Sequence, residues 1–307
     1  MLNNKITIVT VFLLLCNPVL SYSEPAIKCI PEENNFLACE ALAKQGDDEA
    51  LLIVGRFYET GTGVAKNLEK AEEIYQRLSD KNDANGMNRL AMLTEDQGRK
   101  DEAILLYQKA AELGSSSADY NLGILYELDN NYTKAKEMYE IAIKKHKSSS
   151  AMMSLGDLYR DGRGGEKNTK LAEKWYKESI KFGNDFAITR LGYLYGDLEN
   201  YDEAIKCYEI GIANGDPAAM NSMGLLYQHG FGVQVDINKA VKLYQDASNK
   251  EGLGGLINLG LMYEEGLGVP QSYEKAINLY KRAYQLGYTD IQSRIDYLDK
   301  KMHKKSN

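Results

Sequence analysis

A unit that recurs every 32 to 36 residues constrains this chain more than any other feature. Its core is Leu/Val/Met-Gly-x-x-Tyr. It occurs at Val54-Gly55 with Tyr58, Leu122-Gly123 with Tyr126, Leu155-Gly156 with Tyr159, Leu191-Gly192 with Tyr195, Met223-Gly224 with Tyr227 and Leu259-Gly260 with Tyr263. A degenerate copy reads Leu90-Ala91 with Thr94. After each core comes Ala-x-x-x-Tyr, at Ala71/Tyr75, Ala103/Tyr107, Ala135/Tyr139, Ala172/Tyr176, Ala204/Tyr208, Ala240/Tyr244 and Ala276/Tyr280. A period in this range with two helical motifs per unit predicts a solenoid of helix pairs, each unit packing on its neighbours. Such a fold argues against most enzymes built round a single site.

The repeats explain an unusual composition. Thirteen of the 22 tyrosines belong to the two motifs, against 6 Phe and 1 Trp in the whole chain. The tyrosine bias is therefore structural before it is functional. Net charge is −7 and the basic residues form no blocks inside the repeats. The electrostatic footprint of a nucleic-acid binder is missing, and no nucleic-acid partner is expected. The basic tail Lys300, Lys301, Lys304 and Lys305 suits the solvated C-terminal end of a helix.

The N-terminus reads as a secretory signal over residues 1–23. Lys5 precedes an apolar run from Ile6 to Leu15, too short to span a bilayer comfortably. Ser21-Tyr22-Ser23 places small residues for cleavage before Glu24. A lipoprotein alternative at Leu13-Leu14-Leu15-Cys16 has a large Leu15 where a small residue is usual. No later segment is apolar enough to cross a membrane. The expectation is an exported chain, periplasmic or extracellular. In an oxidising compartment Cys29 and Cys39 are expected to form a disulfide in the segment 24–46, leaving Cys207 as a small buried apolar residue.

The unit from Pro217 to Gly252 shows how one repeat is built. Asp216 caps a helix with Pro217 in its first position, where the missing N–H costs nothing. Ala219, Met220, Met223, Gly224 and Tyr227 share one face. Gly224 costs a helix about 1 kcal/mol relative to Ala, so its recurrence implies a close approach that a Cβ would block. His229-Gly230-Phe231-Gly232 breaks the helix. Asp236 caps the second helix, whose buried stripe is Ala240, Leu243, Tyr244 and Ala247. The same Gly-x-Gly break occurs at Gly61/Gly63, Gly162/Gly164 and Gly266/Gly268. The units starting near Asp83, Ser117 and Asp185 lack it and have shorter loops, which should change the tilt between their two helices.

These residues resemble the Sel-like repeat (SLR) family, a relative of the tetratricopeptide repeat. The match is clearest at Ala151, Leu155-Gly156, Tyr159, Gly162/Gly164, Leu171-Ala172, Tyr176, Ser179 and Gly183. The resemblance implies an all-α fold, a right-handed α/α solenoid of about seven SLR/TPR-like helix-turn-helix repeats over 47–287. Residues 288–307 then supply a basic tail and a C-terminal capping helix with Ile291, Ile295, Leu298 and Met302 on one face. Cysteine-rich members of the family are associated with β-lactam binding or hydrolysis; they carry a cysteine pair in nearly every repeat, and this chain has none there.

No catalytic pattern accompanies the repeats. Gly-x-Ser-x-Gly, Gly-x-x-x-x-Gly-Lys and His-Glu-x-x-His are all missing. His146, His229 and His303 sit apart, at a helix end, in a loop and in the tail, without the grouping a zinc site needs. No cofactor or metal is expected.

Stacked helix pairs present a concave surface lined mainly by first helices. By family geometry, groove positions lie three before, one after and four after each core glycine. The candidate partner-binding residues are Arg56; Asn88 and Met92; Tyr120 and Ile124; Met153, Asp157 and Arg160; Tyr193; and Asn221, Leu225 and Gln228. Tyr, Met and Arg are typical of protein interfaces, and Asn can hold a peptide backbone through donor and acceptor together. The expected function is a non-catalytic, monomeric scaffold of the cell envelope that binds a peptide or helix. The alternatives are a secreted effector engaging a host protein, and a β-lactam or peptidoglycan-fragment binder or hydrolase.

Overall fold

The computed structural model describes Cys29 and residues 35–305, with side chains to residue 302. The expected signal segment, Cys16 and the His303 side chain lie outside the described residues. Among them the chain forms sixteen α-helices, one 3-10 turn and no strand. The chain divides into two compact units, one ending at Tyr75 and one starting at Gln76.

The first unit holds α1 (Phe36–Lys44), α2 (Asp48–Thr60) and the start of α3 (Leu68–Asp80). Helix α1 lies in the segment expected only to carry a disulfide. Cys29 and Cys39 do form that disulfide. Phe36 meets Phe57 and Tyr58 edge-on, with ring centroids 5.9 and 5.4 Å apart, which docks α1 on α2.

The second unit continues with α4 (Ala84–Asp96), α5 (Lys100–Glu112), α6 (Ala118–Leu128), α7 (Tyr132–His146), α8 (Ser149–Asp161) and α9 (Thr169–Lys181). It goes on through α10 (Phe186–Asp197), α11 (Tyr201–Ala213), α12 (Pro217–His229), α13 (Ile237–Asn249), α14 (Leu253–Glu265) and α15 (Tyr273–Gln285). Even-numbered helices from α2 to α14 carry the Gly motif, degenerate in α4 with Ala91 at the glycine position; odd-numbered ones from α3 to α15 carry the Ala-x-x-x-Tyr motif. His229 is the last residue of α12 rather than part of a loop.

The core is a series of linked layers. Ala103, Tyr107 and Ala110 of α5 pack with Ala118, Leu122 and Leu125 of α6. Ala135, Tyr139 and Ala142 of α7 pack in the same way with Ala151, Leu155 and Leu158 of α8. The last layer is closed as expected. A 3-10 turn, Thr289–Ile291, leads into α16 (Gln292–Lys305), and Ile291, Ile295 and Leu298 bury against Ala276, Ile277 and Tyr280.

Helix ends follow the local chemistry. Asp47, Asp83, Ser148, Asn168, Asp216, Asp236 and Ser272 cap helix N-termini with their side chains. In each Gly-x-Gly break both glycines have positive φ, for example 77° at Gly230 and 67° at Gly232. Long and short loops close on one bond. The residue before the second helix donates its N–H to the carbonyl of the first-motif tyrosine, Asn168 to Tyr159 at 2.8 Å and Asn200 to Tyr195 at 2.9 Å. The extra loop residues are therefore accommodated ahead of this bond, which both classes of repeat share.

Candidate functional site

The first-helix faces take their form from one repeated contact. A Cβ built on Gly55, Gly123, Gly156, Gly192 or Gly224 would lie 2.5–2.6 Å from Cε1 of Tyr75, Tyr139, Tyr176, Tyr208 or Tyr244, and Gly260 is as tightly filled by Tyr280. The close approach inferred from the recurrent glycine is thus made by the tyrosine ring of the second helix. The two sequence motifs are the two halves of one contact.

The ring passes under the glycine and its hydroxyl emerges at the next turn. There a side chain four residues after the glycine position accepts from it. Tyr75 donates to Glu59 at 2.5 Å, Tyr107 to Glu95 at 2.8 Å and Tyr139 to Glu127 at 2.7 Å. Tyr244 donates to Gln228 at 2.7 Å and Tyr280 to Glu264 at 3.0 Å. Burial, and then the adjoining carboxylate, push the Tyr107 and Tyr139 phenols far above their ordinary range, so they remain donors at any physiological pH. Glu127 also pairs with Arg163 at 2.5 Å, and Glu264 with Arg294 at 2.7 Å. Counting along the sequence placed this position, four after the glycine, among the groove-facing ones and missed its role as acceptor for the tyrosine.

Several candidate residues serve this internal network. Gln228 is the acceptor for Tyr244. Asp157 accepts from Tyr176 at 2.7 Å, because Arg160 occupies the place that holds an acceptor in five other repeats. Burial pushes the Asp157 carboxyl up, against the opposing pull of Arg190, Tyr176 and Arg160. Arg160 is itself paired with Asp161 at 2.8 Å. Asn88 was expected to face a partner, but it is only 6% exposed. Its Oδ1 accepts from Asn121 of the next first helix at 3.1 Å, and Asn221 accepts likewise from Asn258 at 2.7 Å. The paired donor and acceptor expected for a peptide backbone are thus half used by a ladder between neighbouring repeats.

The remaining candidates keep an open side. Arg56 is exposed, in the N-terminal unit. Met92, Tyr120, Ile124, Met153, Tyr193 and Leu225 are half-buried. Met92 packs on the layer of Ala118 and Leu122, Ile124 on that of Ala151 and Leu155, and Leu225 on that of Leu256 and Leu259. Each bridges to the next repeat while leaving part of its side chain accessible. Tyr193, Asn221 and Leu225 come together in a cleft of about 490 Å³ between α10 and α12. A second cleft, about 550 Å³, lies between the second helices α5 and α7.

Cys207 is buried, and burial pushes its thiol up to about 11, as expected of a packing residue. Among the described residues no group of three or more His, Cys, Asp or Glu is placed to hold a metal ion. No helix of the described residues is long and apolar enough to cross a membrane.

Comparison with known proteins follows the loop classes. The Sel1 repeat model matches residues 48–83, 149–183, 217–251 and 255–288, which are the four repeats with a Gly-x-Gly break. Tetratricopeptide repeat models match 84–113, 117–149 and 187–209, the three with short loops. The chain is 27% identical over 245 residues to mouse DAP3-binding cell death enhancer 1, covering 76% of this chain and 48% of that protein. It therefore spans about half the length of that relative. A protective antigen present in uropathogenic Escherichia coli strains, displaying an SLR fold, superposes with a TM-score of 0.62 at 25% identity, over 87% of this chain and 60% of that one. A Sel1 repeat protein from Oxalobacter formigenes gives 0.58 at 22%, over 88% and 83%. Sel1 repeats interspersed with tetratricopeptide repeats therefore make up the repeat region of this all-α chain, from residue 48 to residue 288.

Proposed function

We propose that this chain is a non-catalytic scaffold that binds a peptide or helix of a partner protein along its first helices. The observation that carries the reading is the series Met92, Tyr120, Ile124, Met153, Tyr193 and Leu225. These half-buried apolar and aromatic side chains recur on successive first helices, already anchored by the next repeat. Anchored side chains lose little further freedom on binding, which favours recognition. A relative named for binding DAP3 is consistent with a protein partner. The expected setting is the cell envelope after export, supported by the Cys29–Cys39 disulfide, a bond characteristic of oxidising compartments.

The test is chemical crosslinking and pull-down with the purified protein as bait. The control carries Tyr120→Ala, Met153→Ala and Tyr193→Ala together, with its folding checked by circular dichroism and Tm. A partner held by the wild type and lost by the folded control supports the reading. Equal capture by both would move the site away from the first helices. Likeness to a protective antigen of Escherichia coli motivates a second reading, a secreted factor that engages a host protein. Recovery of the protein only from the periplasm during infection would count against it. The cysteine pairs that would favour the β-lactam reading are absent from the repeats.

A further inference from the structure

One repeat breaks the tyrosine–acceptor rule. Four residues after Gly192 stands Gly196, where five other repeats place Glu59, Glu95, Glu127, Gln228 and Glu264. A Cβ on Gly196 would lie 3.5 Å from the Tyr208 hydroxyl, so this position looks directly at the phenol. Among the described residues no carboxylate or amide accepts from Tyr208. The Ser222 hydroxyl lies beside both Tyr208 and Tyr193, and it already donates to the Ala218 carbonyl at 2.9 Å. Burial pushes the Tyr208 phenol far up, so it is a hydrogen-bond donor at neutral pH.

The missing side chain leaves the cleft between α10 and α12. Its walls are aromatic. Phe231 stacks on Tyr201 at 5.5 Å with an interplanar angle of 11°, and Tyr193 lies 6.0 Å from Tyr208. In the fourth repeat the residue corresponding to Phe231 is Arg163, which neutralises Glu127 of the third. Here no arginine lines the cleft, and Asp197 does. A carboxylate guest would meet Asp197, and the Arg190 guanidinium lies over the Tyr193 ring, 5.8 Å from its centroid, without lining the cleft. A carboxamide guest would not. Its oxygen can accept from Tyr208 while its N–H groups face Asp197. The next repeat supplies the precedent, since Gln228 accepts from Tyr244 at 2.7 Å.

We propose that this cleft binds the side-chain carboxamide of a glutamine from a partner peptide, in the place where other repeats carry their own Glu or Gln. The inference rests on the scaffold reading and specifies one recognition point within it.

The test uses three small probes: N-acetyl-glutamine methylamide, N-acetyl-glutamate methylamide and N-acetyl-norleucine methylamide. Each is titrated into the purified protein with ring-labelled tyrosine, and NMR follows the Tyr208 and Tyr193 rings, Tyr208 being assigned from Tyr208→Phe. The expected result is a saturable millimolar shift with the glutamine probe, about tenfold weaker or worse with the other two. Gly196→Gln places the chain's own amide in the cleft and should abolish the response with Tm unchanged or raised. Gly196→Ala should keep it, because its Cβ makes only ordinary contact with the phenol. Tyr208→Phe, read at Tyr193, should lose it.

Equal binding of the norleucine probe would reduce the cleft to an apolar slot and overturn the proposal. Stronger binding of the glutamate probe, persistence in folded Gly196→Gln, or no shift with any probe would also overturn it. None of these results depends on the pull-down. A partner captured without any probe binding would sink the cleft and leave the scaffold standing.

Discussion

At the level of single residues, two helical glycines of the same repeat do opposite things. Gly192 makes room for the Tyr208 ring, and Gly196 leaves the hydroxyl of that ring without a carboxylate or amide partner. The first kind was legible in the sequence because it recurs. The second was not, because an irregular glycine carries meaning only once the tyrosine it faces is known. Substitution separates the two. Gly123→Ala, a ring-facing position, should lower stability by about 1–3 kcal/mol through overpacking against Tyr139. Gly196→Ala should raise it by about 1 kcal/mol by removing a helical glycine where the added methyl fits. Urea unfolding of both variants checks this contrast. The buried phenols make a second prediction. Tyr107, Tyr139, Tyr176, Tyr208, Tyr244 and Tyr280 all have ionisation raised above 10.0, with burial the largest cause. Below pH 10 both folded and unfolded chains keep these protons and stability is unaffected. As pH climbs beyond 10 the unfolded chain ionises first, and stability falls. Titration followed at 295 nm should show the buried set ionising only in a cooperative step that coincides with loss of helical circular dichroism.

At the level of helices and loops, the sequence showed two loop lengths but not how both are accommodated. Both classes end in the same N–H to tyrosine-carbonyl bond, a backbone feature that side-chain motifs do not encode. The short loops turn instead through Gly98, Asn130 and Glu199, each with positive φ. Glutamate is poorly suited to that region, and φ at Glu199 is 57°. Glu199→Gly should therefore stabilise the protein by about 1 kcal/mol, read as a rise in Tm, whereas Gly98→Ala should lower it. The candidate surface was partly legible for a related reason. Counting from the glycine picks out one helix face, on which Met92, Tyr120, Ile124, Met153, Tyr193 and Leu225 are half-buried. It does not say which residues on that face are claimed internally: Asn88, Asp157 and Gln228 are claimed by partners on other helices, and Arg160 by Asp161 of its own helix.

For the molecule as a whole, the repeats make stability a matter of neighbours. The cap α16 covers Ala276, Ile277 and Tyr280. Removing residues 292–307 should lower Tm and raise amide hydrogen exchange first in α15 and then α14, with α8 and α9 least affected. Reducing the Cys29–Cys39 bond should loosen α1 and leave those same helices protected. Uniform loss of protection in either experiment would show that the repeats unfold as one block. The functional claim is that partners meet the first helices. Site-specific photocrosslinking in living cells tests it most directly, with a benzophenone amino acid placed at Met153 or Leu225, or at Leu105 and Ile210 on exposed second-helix positions. Discrete adducts from Met153 and Leu225, with none from Leu105 and Ile210, are predicted. Adducts confined to Leu105 and Ile210 would contradict it.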